Sequence, residues 1–207
     1  MGLESSSTDA LEAADAFEHA AKCYKMIKDY TALVRCSDRA ISIFKRQNRY
    51  VKCALLYESL VDPTMTPVPD QIRFLQEARQ FYDLADDKRS SPIAEKLANS
   101  FGAQGSFQEA AQFFLARSND LALDPILIHA AKKNFLFGQC CMVLHEQNGQ
   151  EALRQSGFPG WFIGSPEASI LQAWINWYEG EIESFNPTIS FPAWLITAAS
   201  HNNKSFC

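Results

Sequence analysis

The chain has 207 residues, 47% of them apolar and 12% aromatic, enough for one domain or one continuous array of repeats and too apolar for a disordered chain. A net charge of −5 and a pI near 5.4 argue against nucleic acid as the main partner, because that binding needs a stripe of Lys and Arg to replace counterions. The six cysteines include no CxxC pair, which reads as a reduced cytosolic protein and not as a disulfide framework.

Residues 1–10 lack the basic and apolar regions of a signal peptide and are expected to be disordered. Gly2 and Ser6 fit the loose myristoylation pattern, without polybasic support. From Leu11 to Leu60 the apolar period is 3.6. Ala13, Ala16, Phe17, Ala20, Ala21 and Tyr24 form one stripe, and Ser7, Thr8 or Asp9 serves as the cap. A tight break at Lys28-Asp29-Tyr30 precedes a second helix, and a polar turn at Gln47-Asn48-Arg49 followed by Tyr50 precedes a third. The Pro-rich segment 61–70 reads as a loop, 71–84 as a helix, and a further helix is expected to start at Pro92. Gln104 to Ser106 with Phe107 repeats the turn-plus-aromatic device, and the glycines at 102 and 105 read as helix-end residues. Tyr30 and Tyr50 lie twenty residues apart, so a helical hairpin takes about forty, the mark of a TPR-like repeat.

The segment "LDPILIHAAKKNFLFGQCCMVLH" (123–145) reads as one packed helix begun by Asp124-Pro125, too interrupted by lysines to span a membrane. After it come an aromatic loop, a helix start at Ser165-Pro166-Glu167, and two Trp-rich final helices. The expectation is an all-α chain, a TPR-like α-solenoid of antiparallel helix hairpins over 11–122. It ends in a small C-terminal helical bundle over 123–200 and a tail over 201–207.

Signatures of chemistry are sparse. There is no phosphate-binding glycine loop, no nucleophile elbow and no H-E-x-x-H. His19 and Cys23 stand at i,i+4, but no second ligand pair follows. Cys140 and Cys141 point about 100° apart on a helix, which suits core packing. These features point to a protein that is not an enzyme and uses no metal or cofactor. Charge is the more telling pattern. Lys45, Arg46, Arg49 and Lys52 gather at one turn, and Lys88, Arg89 and Lys96 at another, so stacked hairpins would align them in a stripe. Glu151, Glu167, Glu179, Glu181 and Glu183 concentrate toward the C-terminus. A basic middle and an acidic end suit two different partners.

The segment from Asp124 through Ala130-Ala131-Lys132 and Phe135 to Cys140-Cys141 resembles a helix of the soluble NSF attachment proteins. "QGSFQEAAQFFLARSNDLALDP" before it and "SGFPGWFIGSPEASILQAWINWYEGEIESF" after it are similar to that family's flanking segments. The resemblance runs over about residues 10–200. It implies a non-catalytic adaptor of vesicle trafficking, cytoplasmic and peripheral on membranes through its partners. Those partners are the SNARE complex and an NSF-type AAA ATPase. In that family a basic face meets the acidic SNARE bundle. Lys96 and Arg49 fall on such positions, and Lys52 lies one turn from a third, occupied here by Leu55. Acidic residues near the C-terminus meet the ATPase, a role that falls on Glu179, Glu183 and Asp124. By the same comparison, the chain starts after the family's first helix pairs and lacks its acidic tail. The alternative is a TPR-like scaffold holding one large protein partner through Trp174, Trp177 and Trp194.

Overall fold

The computed structural model describes residues 2–149 and 157–202, and every regular element among them is helical. The helices are α1 (Gly2–Met26), α2 (Tyr30–Arg46), α3 (Tyr50–Ser59), α4 (Val68–Leu84), α5 (Ser90–Ala103) and α6 (Phe107–Ala122). A short 3-10 turn (Pro125–Leu127) leads into α7 (Ile128–Glu146), followed by α8 (Pro166–Tyr178) and α9 (Ala193–Asn202). The backbone is already helical from Gly2, ahead of the cap positions read from the sequence. α5 likewise begins at Ser90, two residues before Pro92.

One backbone device ends α1, α2, α4 and α5. Lys28, Asn48, Asp86 and Gly105 adopt left-handed φ of 59°, 53°, 49° and 84°. In each case the next residue's N–H reaches back five positions, to the carbonyls of Tyr24, Phe44, Tyr82 and Phe101, at 2.9–3.0 Å. The left-handed residue itself donates to the carbonyl three positions back, which completes a Schellman cap and satisfies carbonyls that the helix leaves orphaned. Asp29 then serves twice, since its side chain also accepts from the Ala32 N–H at 2.9 Å and caps α2.

The chain divides into two compact units, Met1–Ile93 and Ala94–Cys207. In the first, α1 packs on α2 and α3 on α4 as antiparallel hairpins. Its core takes Ala14, Ala21, Leu33, Ala40, Phe44 and Phe74. On α1 the buried stripe runs through Ala14 and Ala21 with Phe17 and Tyr24 half-buried, while Ala13 and Ala16 are exposed, a shift of phase from the expected stripe. Alanines stand all round this helix and mark no face by themselves. Polar ties cross between helices: the Tyr30 hydroxyl donates to Asp70 at 2.8 Å, and Tyr82 donates to Glu58 at 2.5 Å. Burial and then the Asp70 carboxylate push the Tyr30 phenol up to about 12.

The second unit gathers α6, α7, α8 and α9 with most of α5 around an aromatic core. This boundary lies well before the junction expected at 122/123, because α6 is part of the C-terminal core. Phe114 of α6 meets Phe137 of α7 edge-on at 5.7 Å, and a Cβ at Gly138 would come within 2.7 Å of Leu115 Cγ. Only glycine allows so close an approach of two helices. Gly102 is the second-last residue of α5, as a helix-end residue should be, and a Cβ there would collide with the Trp194 ring. That indole stacks on Phe107 and donates to Asn99 Oδ1 at 3.1 Å, which fixes α9 against α5 and α6. α7 and α8 run in the same sense. Phe135, early in α7, contacts Phe158, Trp161 and Phe162 just before α8, and Gly149, just past α7, meets Glu179, just past α8.

Candidate functional site

Two cations of the first unit, Arg49 and Lys52, meet where the α2–α3 turn approaches Ala85 of the α4–α5 turn. Arg49, the residue that precedes α3, and Lys52, three residues on, line one cleft of about 400 Å³ with Asn48 and Tyr50, and the α4–α5 turn adds Ala85. Lys88, Arg89 and Lys96, the other cations of the expected stripe, do not line this cleft. The residues differ in what they already hold. Arg49 is exposed and has no side-chain partner among the described residues. Lys52 is tied to α1: its ammonium lies 3.1 Å from Glu18 and 3.5 Å from Asp15, and 5.4 Å above the Phe44 ring. The Glu18 hydrogen bond raises the Lys52 pKa. Burial works to raise Glu18 itself, but hydrogen bonds from Lys22 and Lys52 outweigh it and lower its pKa. Arg89 is likewise engaged, with both oxygens of Asp87, and holds that carboxyl down at about 2. Lys96 is exposed on α5 and belongs to the second unit.

The acidic candidates of the second unit do not form one cluster. Asp124 is exposed at the start of the 3-10 turn, with Oδ1 accepting from the Ile126 N–H at 2.9 Å. Glu179 ends α8, and its Oε1 accepts from the Gly149 N–H at 3.0 Å. Glu183 is exposed beyond it, without a described partner. Asp124 precedes α7 while Glu179 meets the residue just past it, and α7 has 19 residues. At 1.5 Å per residue the two carboxylates stand roughly 30 Å apart. Glu151, Cys207 and the tail beyond 202 lie outside the described residues.

The other candidates have structural places. Trp174 and Trp177 are buried in the second unit's own core, and Trp194 is lodged in its α5–α6 slot, so none forms an outward apolar surface for a partner. Cys140 and Cys141 are fully buried and burial pushes both thiols up, which makes them core residues. His19 and Cys23 are both exposed, and no group of three His, Cys, Asp or Glu among the described residues is placed to hold a metal ion. No helix among the described residues is long and apolar enough to cross a membrane. Sequence reasoning missed Glu18 as the partner of Lys52. The available signal was the i,i+3 pair Asp15 and Glu18 with Lys22 one turn further on.

Antiparallel helix hairpins joined by repeated caps, with charged groups displayed at their turns and ends, define an all-α protein of the TPR-like class. Within that class the chain belongs to the SNAP family: the family model of the soluble NSF attachment proteins matches residues 2–180. Comparison with curated proteins gives no match. The family is one of non-catalytic adaptors, and membership supports a SNAP-like role in trafficking.

Proposed function

We propose that this protein is a non-enzymatic adaptor that binds SNARE complexes through cations of its first helices and recruits an NSF-type AAA ATPase through carboxylates near its C-terminus. The observation that carries this reading is the family match over residues 2–180. The side-chain environments rank the residues within it. Arg49 and Glu183 are the charges most available to a partner, whereas Lys52 and Glu179 already hold groups of their own chain. Asp124 would make a contact separate from that of Glu179 and Glu183. Lys96 adds a cation on α5. The mechanism is electrostatic steering and templating, with no bond made or broken. The protein works in the cytoplasm and reaches membranes through its partners.

A pull-down with assembled SNARE bundles tests this. Arg49→Glu should weaken SNARE binding by about tenfold and flatten its salt dependence, as expected when an exposed charge at the rim of an interface is reversed. Glu183→Lys should abolish ATPase recruitment while SNARE binding is kept. Binding that is absent, or indifferent to both salt and Arg49→Glu, would sink the proposal.

A further inference from the structure

Between α1, α2 and α3 of the first unit lies a slot of about 230 Å³ that none of the described residues fills. Its walls are apolar, built from Ala21, Leu33, Leu55 and Leu56. Ala21, Leu33 and Leu56 are buried, while Leu55 at the mouth is 43% exposed in the middle of a helix. The slot exists because α1 brings only a methyl group, at Ala21, opposite the leucines of α2 and α3.

The rim has the opposite character. Lys22, Lys25 and Lys52 all line it, with Glu18 as the one carboxylate. Lys22 and Lys52 share that carboxylate at 2.7 and 3.1 Å. Lys25 is differently placed: its ammonium donates to the Ser59 carbonyl at 2.5 Å and has no carboxylate at ion-pair distance among the described residues. An ammonium has three N–H donors, so Lys25 keeps capacity for an anion at the mouth of an apolar slot. Cations therefore outnumber carboxylates around a space that excludes polar groups. That combination suits a ligand with one anionic end and one hydrocarbon end.

We propose that this slot binds a medium-chain fatty carboxylate, with its tail against Ala21, Leu33 and Leu56 and its carboxylate on the Lys25 ammonium. Size sets the chain length. An apolar cavity of about 150 Å³ holds benzene, so 230 Å³ takes about eight or nine carbons. The tail contributes through apolar burial and the head through charge-assisted hydrogen bonds. The site is independent of the SNARE reading, although Lys52 contributes to both surfaces.

The test is a titration of the isotope-labelled full chain with sodium octanoate, followed by amide NMR. Octanol serves as the tail without the charge, and acetate as the charge without the tail. Octanoate should bind saturably, shift amides around Ala21, Leu33 and Leu56, and bind at least about tenfold more tightly than octanol. Acetate should not bind. Lys25→Met keeps the apolar stem and should weaken octanoate about tenfold while leaving octanol binding unchanged; the lost bond to the Ser59 carbonyl lowers the melt for both ligands alike. Ala21→Met should block both ligands by filling the slot; should that variant not fold, the Lys25→Met comparison decides alone. Equal affinity for octanol and octanoate, unchanged octanoate binding by Lys25→Met, shifts confined to other residues, or no saturable binding in the millimolar range would each overturn the proposal.

Discussion

The two units hold their helices together by different means, and the difference bears on where a partner can touch each. In the first unit small residues let the helices approach, a few rings stack between α3 and α4 (Tyr57 on Phe74 and Phe81), and polar ties cross between helices: Lys52 to Glu18, Tyr30 to Asp70, Tyr82 to Glu58. Charged and polar groups thus remain at its surface, and an apolar slot between its helices is left unfilled. In the second unit aromatic rings fill the interior. Phe135 meets Phe162 at 4.6 Å, Trp174 stacks on Tyr178 at 5.5 Å, and Trp177 stacks on Phe185 at 5.7 Å. Those rings are used up internally, so the acidic candidates sit at helix ends, outside the core. A unit with polar ties displays charge along its turns, whereas a unit with an aromatic core displays it at its extremities.

The sharpest way to break this contrast is to remove one ring from the second unit. Trp174→Ala should cost about 3–5 kcal/mol in urea melts, with amide exchange accelerated in the second unit alone. Trp174→Phe should cost much less. The indole N–H has no partner among the described residues, so losing it relieves an unpaired buried donor and offsets part of the lost packing. A smaller effect is expected where α6 meets α7. Gly138→Ala forces Leu115 aside and should cost about 1–2 kcal/mol after the gain in helix propensity is counted, read from the same melts.

The first unit should respond the other way at its turns. Lys28 adopts a φ of 59°, a conformation that glycine enters without strain. Lys28→Gly should therefore raise stability by about 0.5–1 kcal/mol, while Gly105→Lys in the second unit should lower it by a similar amount. The smallest effect belongs to the ion pair. Glu18→Gln should cost about 0.5 kcal/mol, vanishing at high salt because the lysines around it are exposed. The sign with pH follows from the lowered Glu18 pKa. The contribution is present above the ordinary value of 4.5 and is lost as pH falls through the lower folded value. Acid melts of the wild-type chain and Glu18→Gln should converge there.

Much of the architecture was legible because it is local. The turns at Lys28, Asn48 and Gly105 show in sequence as polar residues followed by Tyr30, Tyr50 and Phe107. The equivalent turn at Asp86 escaped notice because Lys88 stands where the others have an aromatic. The common signal sits on the other side: Tyr24, Phe44, Tyr82 and Phe101 each precede the left-handed residue by four positions. The phase of α1 was not legible, since an alanine-rich helix has no single apolar face to read. Nor was the split between Asp124 and Glu179. It follows from α7 and α8 running in the same sense, and that is set by ring contacts between residues distant in sequence. The tie of Lys52 to Glu18 spans 34 positions, and its only local sign was the acidic pair Asp15 and Glu18 on α1.

The repeated turn has a further meaning. Its geometry is set by main-chain hydrogen bonds, and among the three non-glycine apices only Asn48 adds a side-chain bond, its Oδ1 accepting from the Tyr50 hydroxyl at 2.9 Å. Lys28, Asn48 and Asp86 occupy one backbone conformation with positive, neutral and negative side chains. The apices are positions where the chain can be re-addressed by editing a single charge, with the helices on either side left as they are.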